Sequence, residues 1–269
     1  MKLIVRINMR RHCPLPLFNA VIVLNTPIPS SAPLFQHLWS GAVRGNCDSR
    51  VRVCADGGAN RLHEWIRDNR GAFQLPDAIV GDLDSLETEV RAYFVSHGVK
   101  VKDMSDDQDT TDLEKCLAFV AKKAKGRENE CAVVAYGSFG DGGRLDHVFG
   151  ILNTLYKWRG VFGNVAWVSE THTARVLGPG KHELIVDHGI AVPHSCGLVP
   201  LGGPVRCVTT DGLVWDMHDA SMSFGGLVSA CNRIKKGTSA VSIQLSDPAV
   251  WMTTITTVAA PPIIGKAAL

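Results

Sequence analysis

Apolar positions in the first two-thirds of the chain alternate between short solid runs and longer stretches with helical spacing. Val21-Ile22-Val23-Leu24 is unbroken and predicts a buried strand. Residues 51–55 predict a second strand, ended by Asp56-Gly57-Gly58. From 59 to 70 the pattern turns helical, with Leu62, Trp65 and Ile66 on one face. Ala78-Ile79-Val80 predicts a third strand, stopped at Gly81. Residues 110–125 predict a helix whose stripe is Leu113, Cys116, Leu117, Val120, Ala121 and Ala124. Residues 132–136 predict a fourth strand. A glycine-rich loop follows, then a helix carrying Leu145, Val148, Phe149, Leu152, Leu155 and Tyr156. Strand and helix in alternation imply a parallel sheet covered on both faces.

Beyond about residue 175 the helical period is lost. Short runs at 183–186, 197–200, 205–209 and 240–245 are separated by turn residues such as Gly178-Pro179-Gly180 and Gly202-Gly203-Pro204. That pattern predicts an all-β sandwich. The expected organisation is an N-terminal extension at 1–19, an α/β catalytic domain at 20–175, a β-sandwich domain at 176–258 and a tail at 259–269.

Composition narrows the function classes. The 269 residues are 45% hydrophobic and 20% charged, enough for a sizeable core. The 28 basic and 26 acidic residues give a net charge of +2. No strong field points to nucleic acid or an anionic membrane, and no apolar run is long enough to span one. The eight cysteines include no CxxC pair, and Cys131 precedes the apolar Ala132-Val133-Val134. They read as buried free thiols in a reducing compartment, and the expected location is the cytoplasm. Lys2, Arg6, Arg10 and Arg11 lie near the N-terminus without an acid, but Pro14 and Pro16 interrupt any targeting helix.

In a parallel sheet, ligands gather at the carboxyl ends of the strands. Asp56-Gly57-Gly58-Ala59-Asn60 sits at one such end, where glycines let a ligand approach the backbone and the next helix offers free N–H groups. Gly81-Asp82-Leu83-Asp84-Ser85 sits at another. On an extended segment, Asp82 and Asp84 project to one side and suit Mg²⁺, a hard cation. Alternatively, Asp84 or Ser85 caps the next helix. In Asp106-Asp107-Gln108-Asp109-Thr110-Thr111-Asp112, either Asp109 caps a helix with Asp112 at its third position, or the crowded acids await a cation. The loop at 137–144 fits neither the dinucleotide nor the P-loop pattern, yet it can cradle phosphates with Arg144 as charged partner. Asp146 and His147 open the helix that follows. Trp215 reads either as a core aromatic or as a platform for a heteroaromatic cation.

Taken together, these motifs resemble thiamine pyrophosphokinase of the eukaryotic type. The carriers are Ala-Asp-Gly-Gly-Ala-Asn-Arg at 55–61, Gly-Asp-Leu-Asp-Ser at 81–85, Asp-Gln-Asp-Thr-Thr-Asp at 107–112, Gly-Arg-Leu-Asp-His at 143–147 and Gly-Leu-Val-Trp-Asp at 212–216. Leu227-Val228-Ser229 with Asn232 completes the series. The resemblance implies an α/β domain followed by a β-sandwich, and a homodimer with active sites between subunits. It implies Asp82, Asp84 and Asp112 as acids that handle Mg²⁺ and phosphate. It implies Gln108, Asp109 and Thr111 as nucleotide-side contacts, with Asp56, Arg144 and Asp146 in the same cleft. Trp215 and Ser229 would face thiamine. The chain departs from the family pattern at His147, where Gln is expected, and at Arg233-Ile234-Lys235, where Thr-Tyr-Asp is expected.

The implied reaction passes the pyrophosphoryl group of ATP, a co-substrate, to the thiamine hydroxyl. Asp84 or Asp112 would accept the hydroxyl proton. Two rivals remain at this stage: another Mg²⁺-dependent phosphotransferase on a small alcohol, and a non-catalytic thiamine or nucleotide sensor.

Overall fold

The computed structural model describes residues 18–40, 50–69, 73–138, 144–186 and 191–257. Strands β1 (Phe18–Val23), β2 (Arg50–Ala55), β3 (Ala78–Gly81), β4 (Lys100–Asp103), β5 (Cys131–Tyr136) and β6 (Asn164–Val168) pair in parallel in the order β4-β3-β2-β1-β5-β6. Between them run α1 (Pro33–Ser40), α2 (Gly58–Asp68), α3 (Thr88–Ser96), α4 (Asp112–Ala124) and α5 (Leu145–Trp158). Strand residues alternate in direction, so Ala20 and Ile22 meet α4 and α5 while Val21 and Val23 meet α1, α2 and α3. Both faces are thereby covered, as the solid apolar runs require.

The sheet does not stop at β6. Strands β7 (His172–Leu177), β14 (Ala249–Thr257), β9 (Ala191–Val199) and β12 (Ser229–Arg233) extend it, in that order, as antiparallel neighbours to ten strands. A second sheet, ordered β11 (Ala220–Met222), β10 (Val205–Asp211), β13 (Ala240–Leu245) and β8 (Gly180–Ile185), lies against this antiparallel part. Leu177, Leu198, Val208, Ile243 and Trp251 fill the space between the two sheets. The C-terminal half is therefore an antiparallel sandwich that shares one large sheet with the α/β half. No helix among the described residues is long and apolar enough to cross a membrane.

Local chemistry sets the helix ends near the strand tips. The helix expected from residue 110 begins at Asp112, because Thr111 is its N-cap and its Oγ1 accepts from Glu114 N at 3.3 Å. Asp109 does not cap it; its N–H donates to Asp107 Oδ1 instead. Asp112 and Glu114 in the first turn and Lys122 and Lys123 in the last complement the helix dipole. At α1 the dipole meets Glu170, which accepts from Leu34 N and Phe35 N and from the Tyr136 hydroxyl. Phe35 then packs between Trp39, Trp65 and Tyr136.

Candidate active site

The carboxyl ends of β2 and β3 and the start of α4 converge on one acidic corner. Asp56 follows β2 with φ +41°, and Leu83 follows β3 with φ +66°. Two non-glycine residues in the left-handed region at one spot mark a backbone held by its surroundings. Gly81 permits the convergence: a Cβ there would lie 2.7 Å from Asp56 Cβ and 2.9 Å from Asp112 Oδ1. Gly58 is equally constrained, since its Cβ would meet Val23 O at 2.2 Å.

Asp56, Asp82 and Asp112 each offer a carboxylate oxygen within 4.8 Å of the other two. Asp56 is 2% exposed. Its Oδ2 accepts from Ser85 N at 3.0 Å, while its buried Oδ1 has no hydrogen-bond partner among the described residues. Asp112 Oδ1 accepts from Asp82 N at 3.2 Å. Burial, with the charges of Asp112 and Asp82 behind it, pushes the Asp56 carboxyl up to about 6, against the pull of the Ser85 bond. Asp112 is raised as well, by burial first and then by Asp82.

One cation counters these acids from inside. Lys115, one turn into α4 and 2% exposed, holds its Nζ 3.8 Å from both Asp82 Oδ2 and Asp112 Oδ1. Helical spacing is the only trace it leaves in the sequence, three residues after Asp112. The orphaned Asp56 oxygen and the crowded carboxylates fit a hard divalent cation that takes oxygen ligands.

Asp84 is not among the three most tightly clustered acids, although its charge also acts on Asp112. The chain at 82–85 is not extended, because Leu83 turns it, and Asp84 is exposed. Its Oδ1 accepts from Ser85 Oγ at 2.9 Å, and its N–H donates to Asp82 Oδ1. Neither Asp84 nor Ser85 caps a helix, since α3 starts only at Thr88 after Glu87. Asn60, buried beneath, ties this turn down: its Nδ2 donates to Ser85 O and its Oδ1 accepts from Glu87 N.

Gln108, Asp109 and Thr111, expected from the sequence on the nucleotide side, are exposed on the turn before α4. Asp107 shapes that turn by accepting from the N–H groups of Asp109 and Thr110 and from Thr110 Oγ1. Thr111 Oγ1 also lies 3.4 Å from Thr154 Oγ1 of α5. Arg144 and Asp146 are exposed and paired with each other, through Arg144 Nε at 3.1 Å and through Nη2. Residues 139–143 of the glycine-rich loop lie outside the described residues.

Trp215 is 57% exposed, which excludes a core role. Asn232, by contrast, is buried and gathers the neighbouring groups. It bonds the backbone of Trp215 in both directions and reaches Ser229 Oγ. Among the described residues, no hydrogen bond or ion pair joins this group to the acidic corner.

A glycine-flanked acid cluster at a sheet's carboxyl edge, with a sandwich presenting an open aromatic, is the arrangement of a two-part site that suits a charged ligand and a flat one. The family model described as "Thiamin pyrophosphokinase, catalytic domain" matches residues 44–165, and "Thiamin pyrophosphokinase, vitamin B1 binding domain" matches 181–250. Thiamine pyrophosphokinase 1 of Oryza sativa subsp. japonica is 37% identical over 244 residues, covering 86% of this chain and 85% of its own. The chain belongs to the thiamine pyrophosphokinase family and is an enzyme of that family, with ATP as co-substrate. Thiamine pyrophosphokinase 1 of Arabidopsis thaliana is 34% identical over 246 residues, covering 88% of this chain and 86% of its own. Among solved structures, the thiamin pyrophosphokinase from Candida albicans superposes with a TM-score of 0.71 at 26% identity, covering 88% of this chain and 89% of the other.

Proposed function

We propose that this chain transfers the pyrophosphoryl group of ATP to thiamine using the acidic corner for the polyphosphate and the Trp215 face for thiamine. The observation that carries this reading is the buried, unpartnered Asp56 Oδ1 among clustered carboxylates at the sheet's carboxyl edge. Asp82, Asp84 and Asp112 handle Mg²⁺ and phosphate, and Asp56 joins them in the same cleft. When bound, Mg²⁺ neutralises polyphosphate charge that would otherwise repel the nucleophile. Gln108, Asp109 and Thr111 contact the nucleotide. Arg144, oriented by Asp146, offers its guanidinium to the phosphates. Trp215 stacks on the thiamine rings and Ser229 bonds their edge.

In the reaction the thiamine hydroxyl oxygen forms a bond to the β-phosphorus. The bond from that phosphorus to the α,β-bridging oxygen breaks, and AMP leaves. The hydroxyl proton passes to a carboxylate of the corner, Asp84 or Asp112. In-line positioning by the two domains, 20–175 and 176–258, supplies much of the remaining acceleration. The working form is a homodimer with each site built from the acidic corner of one subunit and the Trp215 face of the other. The exposed Trp215, Phe224 and Leu227, together with the absence of a bond from Trp215 to its own acidic corner among the described residues, support it. The free cysteines among the described residues support a reducing, cytoplasmic location.

The test has two arms. Incubation with thiamine, ATP and Mg²⁺ yields thiamine diphosphate and AMP in equal amounts; ADP as the nucleotide product contradicts the reaction. At thiamine well below KM, mixing an Asp82→Asn chain with a Trp215→Ala chain gives more activity than the sum of the two chains assayed apart, because one site of each hybrid dimer is intact. If subunits exchange and nothing returns, the shared site is refuted.

A further inference from the structure

The loop that carries Trp215 is held by a device whose centre is Asn232. In a regular strand, residues 229 and 232 face opposite sides of the sheet, because their separation is odd. In β12 they do not. Ser229 pairs with Leu198 and Asn232 with Cys196, so three steps along β12 match two along β9. The extra residue is a β-bulge, and it turns the two side chains toward each other. Gly197 makes room for the bulge, since a Cβ there would lie 2.8 Å from Ser229 O.

Asn232, 4% exposed, then uses its whole amide. Oδ1 accepts from Trp215 N at 3.2 Å and from Arg233 N at 2.8 Å. Nδ2 donates to Trp215 O at 2.7 Å and to Ser229 Oγ at 3.4 Å. Two lone pairs and two N–H groups are all engaged. No other side chain of similar size offers two acceptor and two donor sites in this arrangement. Asp lacks the donors, and Leu lacks both.

The far side of the loop has its own brace. Val214 N donates to Arg233 O and Lys235 N donates to Gly212 O, so the loop lies along the segment after β12. Asp216 Oδ1 accepts from Leu213 N and Thr210 Oγ1, and its Oδ2 accepts from Lys235 Nζ at 2.7 Å. Lys235 falls in the Arg233-Ile234-Lys235 stretch that departs from the expected family pattern. Trp215 therefore projects into solvent from a loop whose backbone is fixed on both sides. An exposed aromatic on a fixed backbone loses little freedom when a ligand stacks on it.

We infer that Asn232, with Lys235 acting through Asp216, positions Trp215 and Ser229 for thiamine and so sets thiamine affinity without touching the substrate. The inference rests on the assignment of Trp215 to thiamine given above.

The experiment measures KM for thiamine, KM for ATP and kcat in Asn232→Ala, Lys235→Met and Trp215→Ala, with thermal melts of each. Trp215→Ala tests the underlying assignment: if it leaves the thiamine KM unchanged, that assignment fails, and this inference with it. Given a loss in Trp215→Ala, Asn232→Ala is expected to raise the thiamine KM by roughly tenfold while the ATP KM stays within about twofold. Lys235→Met, changed at a half-exposed side chain, is expected to raise the thiamine KM by about threefold, again without moving that of ATP. A folded Asn232→Ala enzyme with an unchanged thiamine KM overturns the positioning role. So does an equal loss toward both substrates, which marks a merely structural residue. If Asn232→Ala does not fold, Lys235→Met decides alone, and an unchanged thiamine KM there overturns the inference.

Discussion

The acidic corner and the Trp215 face are opposites in what their side chains lack. In the corner, three carboxylates crowd together with one buried lysine, and a buried oxygen of Asp56 goes without a partner. Around Trp215 every polar side-chain atom of Asn232 is bonded, and what lacks a partner is apolar: Trp215 and its neighbour Val214 are exposed. The first region stores electrostatic cost that a bound cation would relieve. The second leaves apolar surface that a flat ligand or a second subunit would cover. The two roles proposed for these regions, phosphate transfer and aromatic-cation binding, call for these two different kinds of incompleteness. Each is visible before any ligand is present.

The contrast predicts different responses to substitution. The largest effect belongs to the corner. Asp82→Asn or Asp112→Asn lowers kcat by about a hundredfold or more, in line with the several kcal/mol that charge neutralisation supplies, while each variant still melts cooperatively. Near-normal turnover of both at saturating Mg²⁺ breaks the assignment.

A smaller effect belongs to the aromatic face. Trp215→Ala weakens thiamine binding by about 2- to 30-fold, the equivalent of roughly 0.5–2 kcal/mol, and costs little stability. Trp39→Ala is the control, because Trp39 is 1% exposed; it costs about 3–5 kcal/mol of stability. Denaturant melts of the two variants beside thiamine titrations separate them. Equal stability losses would contradict the open position of Trp215.

Much of the fold is legible in the sequence because buried parallel strands are solid apolar runs. β1, β2, β3 and β5 lie where those runs predict, and α2, α4 and α5 follow their stripes. The pieces that leave no such signal are peripheral or short. β4 reads Lys-Val-Lys-Asp, an edge strand whose charges discourage further pairing. α1 has eight residues, and α3 mixes Glu89, Arg91 and Tyr93 into its first turns. Nor does the change of period near residue 175 reveal that β7, β9, β12 and β14 continue the first sheet, since pairing partners are set by long-range contacts.

The sequence names the acids of the corner but not how they group. Spacing suggested Asp82 with Asp84, on the premise of an extended chain. The left-handed Leu83 removes that premise, and Asp82, at the end of β3, instead lies beside Asp56 and Asp112, which come from other strand and helix ends. The motif series includes Asn232, but its bonds to Trp215 and Ser229 across a bulge are not visible there, and Lys115 shows only its i,i+3 spacing from Asp112.

If the acidic corner is strained until a cation enters it, Asp56 reports the strain most directly. An acid whose folded pKa is raised holds its proton more tightly folded than unfolded. The folded state is therefore favoured below the ordinary value of 3.8, and that advantage drains away as pH rises toward about 6. Above that window the charged Asp56 costs up to about 3 kcal/mol, at about 1.4 kcal/mol per pKa unit. The decisive measurement is the stability of wild type and Asp56→Asn at pH 4 and pH 7, with and without Mg²⁺. Without metal, the variant should match wild type near pH 4 and exceed it at pH 7; Mg²⁺ at pH 7 should stabilise wild type more than the variant. A stability gap that is the same at both pH values, with Mg²⁺ acting equally on the two proteins, would contradict the claim.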